Sequence, residues 1–204
     1  ILGAFDSIAK KAKSTDILVV YLAGHGTNFG GQDGDFYFLT SDALSNNLND
    51  EFIRKSTSIS SIELTENIKN IACLKQVIIL DVCHSGKFAD NLVVKREDIS
   101  SSVYRAYERM KDRTGIYILA GCAADAVSYE TSVYGQGLLT YSLLLGMKGA
   151  ALRENTFIDV MSLFQYASDE VPILAKNIGG IQRPQIRCPY EAQSFDIGMF
   201  TDRE

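Results

Sequence analysis

A chain of 204 residues, 46% hydrophobic and 22% charged, is long enough for one domain with a substantial core and too apolar to be disordered over most of its length. Its formal charge of −5, with no Lys/Arg block longer than two residues, excludes the basic footprint of a nucleic-acid or anionic-membrane binder and favours cationic substrates. Four separated cysteines without a CxxC pair fit neither a disulfide scaffold nor a zinc ribbon, so a reducing, cytoplasmic setting is expected; no apolar run or leader suggests a membrane partner.

Along the chain, "DILVVYLAG" (16–24) is a nearly continuous apolar run ending in a turn, the pattern of a buried parallel strand. The glycine-rich, acidic stretch "TNFGGQDGDFYFLTSD" (27–42) follows as a long loop in which "FYFL" predicts a short strand. "SSIE" (60–63) is a capping-box pattern and predicts a helix over about 61–72. "QVIILDV" (76–82) is the second buried strand, and "SSSVYRAYERMKDRTG" (100–115) has the charge and spacing of a surface helix stopped by Gly115. "GIYILAG" (115–121) is the third strand. Two helices are then predicted, "GQGLLTYSLLLGMKGA" (135–150) and "NTFIDVMSLFQYASDEV" (155–171), the second capped by Asn155 or Thr156, and "SFDIG" (194–198) predicts a late strand. Strands alternating with helices specify an α/β domain with a mostly parallel sheet, and without repeats or linkers residues 1–204 read as one domain.

The two histidines of the chain each lie just past a predicted strand, His25 in "LAGHGT" and His84 in "DVCHSG". Working groups of open α/β sheets gather at the carboxyl ends of parallel strands, so His25 and Cys83 are expected at one edge. A cysteine nucleophile needs a base to raise its thiolate fraction and an acid to protonate the leaving amine, and one imidazole serves both. Adjacent residues leaving a strand point to different sides, so His84 is read as structural and His25 as the base of Cys83. The amides of Gly26 and Cys83 are candidates for an oxyanion hole. Cys73 and Cys188 are expected to be small buried hydrophobes. Cys122, in "LAGCAAD", is a weaker nucleophile candidate because no histidine adjoins it. A zinc site from His25, Cys83, His84 and Cys122 lacks any standard ligand spacing, so no metal is expected.

The segments "YLAGHG", "LDVCHSG", "YILAGCAADAVSYE", "GQGLLTYSLL" and "QRP" resemble the caspase-like cysteine peptidases, most closely the bacterial and metacaspase-type members, from about residue 16 to 198. The resemblance implies a three-layer fold, a sheet with helices on both faces, and a dyad that maps onto His25 and Cys83 with oxyanion donors at Gly26 and Cys83. Where caspases place an arginine after a Ser-aromatic pair to hold a substrate aspartate, this chain has Ser128-Tyr129-Glu130, with the charge reversed. Asp81 matches the pocket acid of metacaspase-type enzymes, so Asp81 and Glu130 are expected to pair a Lys or Arg side chain, with Asp125 able to replace either. Two structural readings stay open: Asp81 as a carboxylate that only binds loop amides, and Glu130 as plain surface charge.

The family normally places a strand, a helix and a second strand before the segment at 16–23, whereas this chain is expected to start inside the helix just ahead of that segment, without the N-terminal strands. A preceding segment or a second chain is therefore an expected partner. Protein or peptide substrates with Lys or Arg at the cleavage site are the others. The segment 87–113 stands where relatives carry processing loops, and Lys95-Arg96 is its candidate self-cleavage site. No cofactor is expected; calcium activation occurs among relatives, but no EF-hand loop is present in the sequence. A catalytically silent interaction module, or an esterase or acyltransferase using the same dyad, are the competing functions.

Overall fold

The computed structural model describes residues 1–29, 35–43, 48–82, 115–122, 130–131, 134–189 and 193–201. The expected surface helix at 100–115, apart from its stop at Gly115, and the Lys95-Arg96 pair lie outside them. In chain order the elements are α1 (Leu2–Ala9), β1 (Ile17–Gly24), β2 (Gly26–Phe29), β3 (Asp35–Leu39), α2 (Glu51–Thr57), β4 (Ser58–Ser60), α3 (Ser61–Lys69), β5 (Lys75–Val82) and β6 (Gly115–Ala120). After these come β7 (Glu130–Thr131), β8 (Gln136–Gly137), α4 (Leu138–Leu145), a π-helical turn (Gly146–Ala150), β9 (Phe157–Asp159), α5 (Val160–Asn177), β10 (Gln185–Arg187) and β11 (Asp196–Met199).

The three long apolar runs become β1, β5 and β6, which lie parallel in a four-stranded sheet of order β1-β5-β6-β10, closed on one side by antiparallel β10. All of β5 except Lys75 is buried, because helices cover both of its faces and no position along it can be polar without a partner. On one face Ile78, Leu80 and Val82 join Leu18 and Val20 of β1 and pack against Phe5 of α1 and Leu64 and Ile68 of α3. On the other, Val77 and Ile79 join Tyr117 and Leu119 of β6 under Leu138, Leu139 and Leu143 of α4 and Leu163, Phe164 and Ala167 of α5. Strand alternation thus divides the apolar residues of β5 and β6 between two cores, the three layers that the sequence implies.

The capping box forms as expected: the Glu63 N–H donates to the Ser60 hydroxyl at 3.2 Å while the Ser60 N–H donates to the Glu63 carboxylate at 2.9 Å. Helix α3 ends at Lys69, a few residues short of the expected end, because Ile71 and Cys73 turn inward to the core and their carbonyls accept from the buried Gln76 amide. The expected strand at "FYFL" is β3, the centre of a small antiparallel sheet β2-β3-β4.

The second C-terminal helix starts later than its sequence pattern suggests. Glu154 and Asn155 hold positive φ values of 53° and 55° in a turn, and Phe157–Asp159 pair with β11, so neither Asn155 nor Thr156 can cap a helix. Asp159 is the cap of α5 instead, accepting from the Ser162 N–H at 2.9 Å. The predicted helix at 135–150 is likewise trimmed, since Gln136 and Gly137 pair with β7 and Gly149, at φ 140°, ends the π turn. Cys73 is buried as expected, whereas Cys188 is exposed beyond the end of β10 and is not a core residue. Among the described residues no helix is long and apolar enough to cross a membrane.

Asp159 carries a pH dependence. Burial opposes its ionisation, yet hydrogen bonds from Ser194 and from the N–H and hydroxyl of Ser162, with the charge of Arg153, outweigh that cost and hold its carboxyl below the usual aspartate range. A depressed folded-state pKa contributes stability that is present above the unfolded value of about 3.9 and is lost as pH falls through the folded value. The urea midpoint of the parent should therefore drop more between about pH 6 and about pH 3 than that of Asp159→Asn. Parallel drops would show that the Asp159 charge does not stabilise the α5 terminus.

Candidate active site

The site is built where β1 and β5 end. Eight consecutive Cα pairs hold these strands in parallel register, from Ile17 with Lys75 to Gly24 with Val82. The residues that immediately precede His25 and Cys83 in the chain are therefore partners across the sheet. Gly24 has φ 145°, a conformation open to glycine and strained for other residues, and there the chain leaves the central sheet for the small one. His25 sits at this corner with an exposed side chain, its carbonyl accepting from the Leu39 N–H at 2.9 Å. Gly26 opens β2 opposite Phe38. Cys83, His84, Asp125, Ser128 and Tyr129 lie outside the described residues.

Asp81 faces the α4/α5 layer, level with Ala23 of β1, and is only 6% exposed. A carboxylate this buried must be hydrogen-bonded to remain ionised. Its Oδ2 accepts from the Thr140 N–H at 3.2 Å and from the Thr140 hydroxyl. Thr140 lies in the first turn of α4, whose N-cap is Gly137 and so offers no side chain of its own. Asp81 supplies from a neighbouring strand the acceptor and the negative charge that a helix N-terminus needs. Its side chain thus binds backbone, as one of the two sequence readings has it, but the amide belongs to a helix.

Gly137 connects the two acids. It is the cross-strand partner of Glu130, and its Cα packs against the Asp81 carboxylate. A Cβ at position 137 would overlap Asp81 Oδ2 and stand 3.1 Å from Cγ and 3.2 Å from Oδ1. The fold therefore brings Asp81 and the backbone of Glu130 to one place. Cys122, by contrast, is fully buried, and its thiol donates to the Val82 carbonyl at 3.4 Å, which makes it a packing residue and not an accessible nucleophile. The buried Gln182 of the "QRP" segment donates to the Gly121 carbonyl at 2.8 Å and ties that segment to the end of β6.

Three residues of this arrangement escape a sequence reading: Tyr21, Gly137 and Thr140. The Tyr21 hydroxyl is 2.6 Å from Thr140 Oγ1, so β1, β5 and α4 meet in one hydrogen-bonded group. Its only sequence signal is "GQGLLT", an apolar helix opening without a capping side chain.

Gly137→Ala should destabilise the fold by about 1–3 kcal/mol, because Asp81 is buried and anchored and cannot swing aside. In an Asp81→Ala background the same change should cost much less, as the overlap is gone. Urea denaturation of the four proteins measures the coupling, and additive costs would mean that Gly137 meets something other than Asp81.

The chain matches the family model of the caspase domain, Peptidase_C14, over residues 1–194. A comparison with curated proteins found no match. Among solved structures it is similar to a protein of Geobacter sulfurreducens, with a TM-score of 0.55 and 17% identity over 94% of this chain and 73% of the other; at that identity the likeness concerns the fold alone. Two strand ends aligned at Gly24 and Val82, a sheet covered on both faces and a match across nearly the whole sequence lead to one conclusion: the chain belongs to the caspase-domain family of cysteine peptidases.

Proposed function

We propose that this protein is a cysteine endopeptidase that cleaves polypeptides after Lys or Arg, with Cys83 as nucleophile and His25 as general base and acid. The observation that carries the reading is the β1–β5 register, in which Gly24 and Val82 are partners and the chain continues from them into His25 and Cys83. In this scheme His25 takes the thiol proton, Cys83 Sγ attacks the scissile carbonyl, and His25 returns the proton to the leaving amine. Water then hydrolyses the thioester with His25 acting again as base. The amides of Gly26 and Cys83 receive the oxyanion.

Preference for a basic residue rests on Asp81 and Glu130. A buried carboxylate beside Gly137, the cross-strand partner of Glu130, is consistent with a pocket of negative charge, and the chain as a whole carries −5. Ser128, Tyr129 and Asp125 belong to the same proposed pocket by their position in the sequence, just before the β7 strand that Glu130 opens.

Reporter peptides with Arg or Lys before the cleaved bond should be turned over by the parent. His25→Ala should lose about 10²–10⁴ in kcat, and Cys83→Ala should fall to background. Glu130→Gln should raise KM for Arg peptides by about tenfold, the worth of a charged hydrogen bond. Equal turnover by parent and Cys83→Ala would remove Cys83 from the mechanism; inactivity of both would favour a silent interaction module, and activity on thioesters alone an esterase or acyltransferase.

The same preference makes Lys95-Arg96 a site of self-cleavage, in a segment lacking the glycines and prolines of a tight turn. Intact-mass measurement after incubation should reveal a new terminus after Lys95 or Arg96 in the parent and none in Cys83→Ala. Identical masses would leave the segment an ordinary connection.

A further inference from the structure

The hydrogen bonds around Asp81 have a direction. An ionised carboxylate only accepts, so the single hydroxyl proton of Thr140 is committed to Asp81 Oδ2. Thr140 Oγ1 is then the acceptor in its 2.6 Å contact with Tyr21, and the Tyr21 hydroxyl is the donor. The chain of donation runs from Tyr21 on β1 through Thr140 on α4 to Asp81 on β5. Each donor polarises the next, and a relay of this kind holds its last acceptor more firmly than one bond would.

The geometry around the carboxylate leaves it little freedom. Oδ2 is held by both the N–H and the hydroxyl of Thr140, and Gly137 closes against the same side chain. Tyr21 is 46% exposed, and its neighbours on the same face of β1, Ile17 and Val19, are also open, at 38% and 49%. A half-exposed tyrosine there contributes little to the core, which makes its short bond to Thr140 the feature that needs an explanation.

We propose that Tyr21 and Thr140 are positioning residues for substrate selection: their hydroxyl relay fixes the Asp81 carboxylate at the end of β5, so that preference for a cationic side chain depends on two residues that do not themselves contact it. This rests on the reading of Asp81 as a pocket acid. A guanidinium or ammonium group is bound well only by a carboxylate already oriented, because reorganising a buried charge would cancel much of the attraction. The relay also joins the pocket to the N-terminus of α4, so the residue that caps the helix is the one that selects the substrate.

The test uses binding and needs no turnover. In the Cys83→Ala protein, calorimetry compares two peptides that differ only in carrying arginine or its neutral isostere citrulline, and the readout is the ratio of their affinities. The starting protein should favour the arginine peptide, and Asp81→Asn should abolish that preference. Tyr21→Phe should reduce the ratio by about threefold to tenfold and Thr140→Val by at least as much, while Thr140→Ser keeps it, each change being the loss or retention of one hydrogen bond. In the Asp81→Asn background neither substitution should change the ratio further. If Asp81→Asn abolishes the preference but Tyr21→Phe and Thr140→Val leave it intact, the relay is overturned and the pocket acid stands. If the starting protein shows no preference, or Asp81→Asn retains it, the pocket reading fails and the relay falls with it. Should Thr140→Val not fold, Tyr21→Phe at its half-exposed position decides alone.

Discussion

The parallel pairing of β1 with β5 is the constraint on which the rest of the molecule depends. It fixes which residues face each core, and its upper end sets what leaves the sheet side by side. A shift of one residue would exchange the faces of a whole strand, burying Asp81 among Leu80's neighbours and turning Leu80 toward α4. Such a slip is prevented from both sides, since Ile78 and Leu80 are needed under α1 and α3 while Val77 and Ile79 are needed under α4 and α5. The alignment at the strand ends is therefore enforced by packing far from them.

Polar groups near that edge divide into those that the structure consumes and those that it leaves outward. The Cys122 thiol and the Gln182 amide are turned inward onto carbonyls at the ends of β5 and β6. His25 engages through its backbone and leaves its ring exposed. Asp81 belongs to the first group, because capping α4 accounts for its burial, although its place one residue short of the strand end keeps it beside the edge. A buried carboxylate would otherwise be an expensive residue for a strand to carry.

Much of this was legible in the sequence because it is periodic or local. The three central strands are unbroken apolar runs, and the α3 capping box is a four-residue pattern; both survive into the structure with little change. What was not legible depends on partners distant in sequence. The start of α5 is set by pairing of Phe157–Asp159 with β11 at the far end of the chain, which outranks the capping preference of Asn155 and Thr156. The hydroxyl group of Tyr21 and Thr140 is a contact between a strand and a helix that no spacing announces. Cys188 looked like a core residue by type, but the short β10 lies at the margin of the sheet and ends just before it.

The turn at Gly24 has a consequence for the order of assembly. From it the chain enters the β2-β3-β4 sheet, whose pairings join segments close in sequence, whereas β1 must find β5 across all of that sheet and α3. Local pairings form first and distant ones wait on the entropy of closing the intervening loop. The small sheet holds the backbone of His25, through its bond to Leu39, by contacts that do not themselves require the strand leading to Cys83. The ends of β1 and β5 are aligned only once that longer loop is closed, so a chain holding the small sheet alone has the His25 corner without the strand edge beside it.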